Sequence, residues 1–271
     1  MKKILVIVLS IFLFTPSCDV IMQGLQTVQT MQSSMQPSSQ EVINGLKTAL
    51  EYGVNYAVQQ LNRTDGYYKN QWVKILLPQD VQNVLDYAMN NSTVKRLGLD
   101  KVLQKKIDEV ILAVNRSAET AAADAKPIFI DAVKNLTITD GYNILKGSDP
   151  RHQVQGFDSL AATHYLEVKT RDQLFNLYLP KMNNALNKNL GLGFSANQAW
   201  NTLINYYNKY IATVLRKPKI NYTLAEYATD KALDGLFFMI GQEEKKIRKD
   251  PYKWSSDIIQ KVFGYVYKPA R

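Results

Sequence analysis

Two adjacent carboxylates, Glu243 and Glu244, carry the clearest chemical signal in the chain. They lie in the stretch T-D-K-A-L-D-G-L-F-F-M-I-G-Q-E-E-K-K-I-R-K-D-P, from Thr229 to Pro251. Its apolar residues Leu233, Leu236, Phe237, Ile240 and Ile247 recur at steps of three and four, so they share one helix face. Glu244 falls on that face, whereas Glu243 points about 100° away from it. A carboxylate on an apolar stripe needs a partner. Arg248, one turn toward the C-terminus, is in the favoured orientation for a helix ion pair. Glu119, Asp140 and Asp234 are further acids on segments that read as helical, so several carboxylates could converge. Two buried acids whose surroundings push their pKa values apart serve as an acid and a base, and such a pair can hydrolyse a glycosidic bond. The competing reading is structural, with the acids tied to Arg, to Lys and to helix caps.

Other chemistries find less support. The two histidines, His152 and His164, are separated by a loop, and there is no H-E-x-x-H and no cysteine cluster, so no metal is expected. His164 reads as a helix-surface or core-edge residue. G-F-S-A at Gly193 lacks the second glycine of a nucleophile elbow and reads as a helix cap. No glycine-rich phosphate loop is present, so no cofactor is expected. The sixteen tyrosines and three tryptophans include Tyr67-Tyr68 and Tyr206-Tyr207. They could line a groove for a sugar or peptide, but aromatic stripes at helical spacing are mostly core.

The elements that must position these residues are helices. Ser38 and Glu41 have capping-box spacing before a helix to about Asn62, broken at Asp65-Gly66. Tyr67 to Pro78 is short, aromatic and β-branched, and reads as an extended segment laid over the helices or as a hairpin. A helix from about Gln79 to Met89 follows. The longest stripe, Leu103, Ile107, Val110, Ile111, Val114, Ala118, Ala121 and Ala125, predicts a helix over 100–125. Its alanine-rich half suits close packing against the helix that holds Glu244, and Asn115 and Glu119 sit one turn apart at its edge. Pro127 is expected to start a new helix to Lys134, and a further helix starts at Thr137 or Thr139 and ends at Gly147.

A polar loop, Ser148 to Asp158, precedes a helix from Ser159 to about Glu167. Thr170 and Gln173 suggest a box for another helix reaching Asn189, kinked or split at Pro180. Ser195 with Gln198, and Thr223 with Glu226, open the next two, and the chain finishes with a helix from Ser255 to Phe263. Repeated boxes before 3.6-residue periodicity, with hardly any alternation, argue for an all-α bundle of roughly nine to eleven helices.

The N-terminus reads as a secretory signal over residues 1–17. Lys2 and Lys3 precede apolar runs from Ile4 to Leu9 and from Ile11 to Phe14, too short to span a bilayer permanently. Cys18 is the only cysteine of the 271 residues, so no intrachain disulfide can form. A lone cysteine just after a signal core looks like a lipoprotein lipobox, although Thr15 stands where leucine is usual. Multiple acyl chains there would hold the protein on a membrane. Residues 18–39, rich in Gln, Ser, Thr and Met, read as a tether with a reach of about 25 Å, with a short amphipathic helix lying on the membrane as the alternative, and residues 40–271 as a single helical domain. Cleavage removes Lys2 and Lys3 from 33 basic residues, leaving 31 against 24 acidic and a formal charge of +7 on 254 residues. That scattered excess favours anionic headgroups. Export and the lack of a basic-aromatic motif argue against nucleic acid.

The ordered motifs N-R-S-A-E-T-A-A-A-D-A-K-P-I-F (115–129), T-I-T-D-G-Y-N-I-L-K-G (137–147), A-A-T-H-Y (161–165), T-D-K-A-L-D-G-L-F (229–237), E-E-K-K-I-R-K-D-P (243–251) and V-F-G (262–264) resemble one family. It is the bacterial envelope family catalogued as domain of unknown function 4197, and the likeness covers about residues 41–264. The resemblance implies a helical, exported, often lipid-anchored protein with no established activity. It also implies that Asn115, Glu119, Asp140, Thr163, Asp234, Glu243, Glu244 and Arg248 occupy the family's polar positions. The chain departs from the pattern at Gly141, where alanine is usual, and in a longer loop before Ala161. The resulting expectation is a non-enzymatic envelope binding or scaffold module, held at a membrane by lipid on Cys18, whose ligand or protein partner is unknown. An envelope hydrolase using buried carboxylates is the alternative.

Overall fold

A computed structural model describes residues 36–151, 153, 155–221 and 223–267 of the chain. The signal segment, Cys18, all but the last residues of the tether, and His152 lie outside the described residues. The fold is all-α, with no strand among the described residues. In chain order the helices are α1 (Ser39–Leu61), α2 (Gln79–Asn90), α3 (Ser92–Arg96), α4 (Leu99–Asn135), α5 (Gly141–Leu145), α6 (Ala161–Asn187), α7 (Ala196–Tyr206), α8 (Ala212–Leu215), α9 (Leu224–Lys249) and α10 (Asp257–Val266). A π-helical turn, Tyr207–Ile211, joins α7 to α8. None of these helices is long and apolar enough to cross a membrane.

The four long helices form a ring in which α1 packs against α4 and α9, while α6 packs against the same two. Taken as a whole, α4 packs more extensively against α6 and α1 than against α9, the expected partner. The small residues of α4 let a backbone approach, and Ser117 Oγ lies 3.3 Å from the Ala185 carbonyl of α6. Across the ring interior, Phe129 and Phe237 meet with ring centroids 5.3 Å apart. Burial of each such side chain contributes roughly 1.5–3 kcal/mol. Around the ring, α10 covers α1, α7 covers α4, and α5 fits between α1 and α6.

Several helices run through positions that look like breaks. Pro127 does not begin a helix but lies inside α4, and Pro180 lies inside α6. Each proline removes a hydrogen bond to the carbonyl four residues earlier. Ala123 with Pro127, and Asn176 with Pro180, are exposed residues, so these breaks in the ladder fall on the outer faces of the helices and not in the core. Nor is Thr170 a cap, because its hydroxyl donates to the Leu166 carbonyl at 2.6 Å within a continuous α6. The Ser195–Gln198 capping box is present in full, whereas Thr223 makes no side-chain cap.

Tyr67 to Pro78 forms neither strand nor hairpin; it is a run of turns followed by irregular chain. Tyr67, fully buried, donates from its hydroxyl to the Ala232 carbonyl of α9 at 2.8 Å. Burial, with Tyr178 and Glu119 nearby, pushes this phenol well above its ordinary pKa and keeps it a donor. A Cβ at Gly235 would stand 2.6 Å from Tyr67 Cε1, which cannot move. Gly235→Ala should therefore lower the unfolding free energy by about 1–3 kcal/mol in urea titration, although alanine has the better helix propensity.

Candidate functional site

The predicted polar residues divide into separate clusters rather than one pocket. The first is built on the last turns of α9. Glu244 is buried, only 1 % exposed. Its Oε1 accepts from the Ala162 amide at 3.0 Å, and its Oε2 accepts from the Thr163 amide at 2.7 Å and the Thr163 hydroxyl at 2.6 Å. These amides belong to the first turn of α6, where N–H groups lack intrahelical acceptors and the helix dipole favours a negative charge. No side chain of the local sequence caps α6, so Glu244 supplies the cap from another helix.

Arg248 completes this cluster. Its Nε and Nη2 both lie 2.8 Å from Glu244 Oε1. Its Nη1 donates to the Leu145 carbonyl at 2.6 Å and its Nη2 to the Ile144 carbonyl at 3.0 Å. Those carbonyls end α5, so one i,i+4 pair on α9 binds the start of α6 and the end of α5. Neighbouring Glu243 instead pairs with Lys246 Nζ at 2.8 Å, and that ammonium also lies 4.0 Å from the centre of the Tyr56 ring.

The second cluster sits on α4. Glu119 Oε1 accepts from the Tyr67 and Tyr68 amides, both at 3.1 Å, while Oε2 pairs with Arg116 at 2.6 Å. Arg116 continues to Asp65 at 2.6 Å. Hydrogen bonds from Lys69 and Arg116 hold the Asp65 carboxyl below the usual range, so its stabilising contribution is present at neutral pH and fades as pH falls through that lowered value. One turn before Glu119, Asn115 mimics a strand: its Oδ1 accepts from the Ile75 amide at 2.9 Å and its Nδ2 donates to the Ile75 carbonyl at 2.7 Å. Both side chains thus clamp the irregular 62–78 segment onto α4.

Asp234 belongs to a third, half-exposed network. It accepts from Arg171 at 2.5 Å and from Lys231 at 2.7 Å, and Arg171 also holds Glu167 and Asp230. Asp140 is exposed and accepts from Asn143 Nδ2 at 2.8 Å.

The expected meeting of Glu244 with Glu119 therefore does not occur. Glu119 holds Tyr67, which packs at Gly235, nine residues before Glu244 and so about 14 Å away along the α9 axis. The two acids are thus kept apart, each with its own partners.

The structure also assembles a group that sequence spacing does not reveal. Asp149, Asp158 and His164 present ligand atoms all within 4.8 Å of one another. His164 Nδ1 lies 2.7 Å from Asp158 Oδ2 and 3.9 Å from Asp149 Oδ1. Beside it are two clefts that share Tyr165. One, of about 320 Å³, is lined in part by Asn135, Thr137, Lys169 and Gln173; the other, of about 460 Å³, by Asp140, Asn143, Ser148 and Asp149. The only early signal for this region was the polarity of its long loop.

If Glu119 is a clamp, Glu119→Gln should leave the ring of helices folded while hydrogen exchange at the Tyr67 and Tyr68 amides accelerates by at least about tenfold, equivalent to about 1.4 kcal/mol. Unchanged protection at both amides would contradict the assignment.

Neither the curated proteins nor the solved structures contain a match to this chain. A family model described as "Protein of unknown function (DUF4197)" matches residues 36–264, which takes in every helix from α1 to nearly the end of α10. The chain belongs to that family.

Proposed function

We propose that this protein is an exported envelope module, anchored by lipid on Cys18, that binds or scaffolds rather than catalyses. One observation carries the non-enzymatic part of the reading. A carboxylate offers about four lone-pair positions, and Glu244 fills them with two backbone amides, one hydroxyl and one guanidinium. To accept a substrate proton it would first have to release the start of α6. Glu119 is similarly occupied by two amides and Arg116. The pairing of Glu244 with Glu119 gives the hydrolase reading no support, because these two acids do not face a common space.

For binding, the clefts around Tyr165 are the best-suited surface. Their amides and hydroxyls, from Asn135, Thr137, Thr139, Asn143 and Gln173, suit a polar ligand held by directional hydrogen bonds. The anchor reading rests on the signal-like start, the lone Cys18 after it and the Gln/Ser/Thr-rich stretch that follows.

Labelling cells with radioactive fatty acid should mark the wild type and not Cys18→Ala; equal incorporation in both sinks the anchor. For the site, Glu244→Gln should lower stability by about 3 kcal/mol. A variant with an unchanged melting temperature that had lost a measurable hydrolytic activity would favour the enzyme instead.

A further inference from the structure

We propose that Asp149 Oδ1, Asp158 Oδ2 and His164 Nδ1 form a binding site for a divalent cation of the zinc class. Asp149 and Asp158 are buried, at 6 % and 5 % exposure. Two carboxylates held side by side out of water favour any cation that can sit between them. An imidazole nitrogen with two carboxylate oxygens suits zinc, whereas calcium and magnesium need six or more oxygens.

The remaining polar contacts resemble the outer support of a metal site. Asp149 Oδ2 accepts from the Gln153 amide at 2.9 Å, and Asp158 Oδ1 accepts from the Leu160 amide at 2.9 Å. Such bonds fix a carboxylate so that its other oxygen is aimed. Asp149 Oδ1 itself accepts from the Arg151 amide at 2.9 Å, with Arg151 Nε at 3.3 Å; that longer contact is the one an arriving ion would replace.

Binding needs all three donors to shift. Tetrahedral bonds of about 2.0–2.2 Å place zinc ligands about 3.3–3.6 Å apart. The Asp158–His164 pair at 2.7 Å must open, the Asp149–His164 pair at 3.9 Å must close slightly, and the three atoms, within 4.8 Å of one another, must settle around the ion. On binding, Nδ1 donates its lone pair to the ion, so its hydrogen moves to Nε2 or leaves to solvent. Three protein ligands leave a fourth position for water or an oxygen of a ligand. A cleft of about 460 Å³ that Asp149 helps to line lies on one side of the group. The ion would tie the 148–160 loop to the first turn of α6, next to the amides that Glu244 caps.

The test uses the untagged full-length chain, stripped with a chelator and dialysed against zinc chloride with excess magnesium. One zinc per chain is expected, held at least about tenfold more weakly by Asp158→Asn and by His164→Asn. Absence of stoichiometric zinc in the wild type, or a loss of less than about tenfold in both variants, overturns the proposal. Should either variant fail to fold, nitrogen NMR of the histidine rings in the wild type decides. A His164 Nδ1 resonance that moves on zinc addition supports the site, and one unmoved at saturating zinc rejects it.

Discussion

Glu244 and Arg248 remove two full charges from water, and the fold makes that tolerable by surrounding each with backbone groups of the opposite polarity. The acid lies at the amide end of α6 and the guanidinium at the carbonyl end of α5, with side-chain exposures of 1 % and 4 %. Buried ion pairs frequently fail to repay desolvation through mutual attraction alone. Here the additional hydrogen bonds to Ala162, Thr163, Ile144 and Leu145 satisfy atoms that would otherwise be stranded. The pair also specifies a relative placement: α9 fits only where both helix ends are in reach. Tight side-chain packing at Gly241 is part of the same geometry, since a Cβ there would stand 3.2 Å from Leu160 Cδ2.

The same device recurs on α4. There, Asn115 and Glu119 each recognise backbone of the 62–78 segment, and Tyr67 passes from that segment to the Ala232 carbonyl of α9. Polar side chains projecting from apolar stripes thus hold irregular chain and helix ends in place. Residues of this kind look like catalytic candidates in a sequence, because both roles demand a charged group in a dry place. Which role applies depends on whether any lone pair remains available. The cluster of Asp149, Asp158 and His164 combines both: its carboxylates accept from nearby amides, and its three potential ligand atoms also converge on one another.

Helix content and the local ion pair were legible in the sequence because both depend on spacings of three and four residues. Arg248 as the partner of Glu244 followed from that rule. Ala162 and Thr163 as its further partners did not, because they lie about eighty residues away and contribute backbone that carries no sequence signature. Pro127 and Thr170 lie inside helices rather than at their starts, since burial of the opposite helix face outweighs the local penalty, and Pro180 lies within α6 without splitting it. The acids do not converge as expected either. Close packing of two helices does not bring every acid on them together: Glu119 binds Tyr67, which packs at Gly235, about 14 Å from Glu244 along α9. The Asp149, Asp158 and His164 group was hidden because its three residues come from a loop and a helix start, with no motif spacing to mark them.

A double-mutant cycle on Glu244→Gln and Arg248→Met, read by urea denaturation, tests the central claim most directly. The account predicts a coupling free energy of about 2–3 kcal/mol, because either single change strands the other charge among helix ends. A coupling below about 0.5 kcal/mol, the level of independent sites, would contradict it.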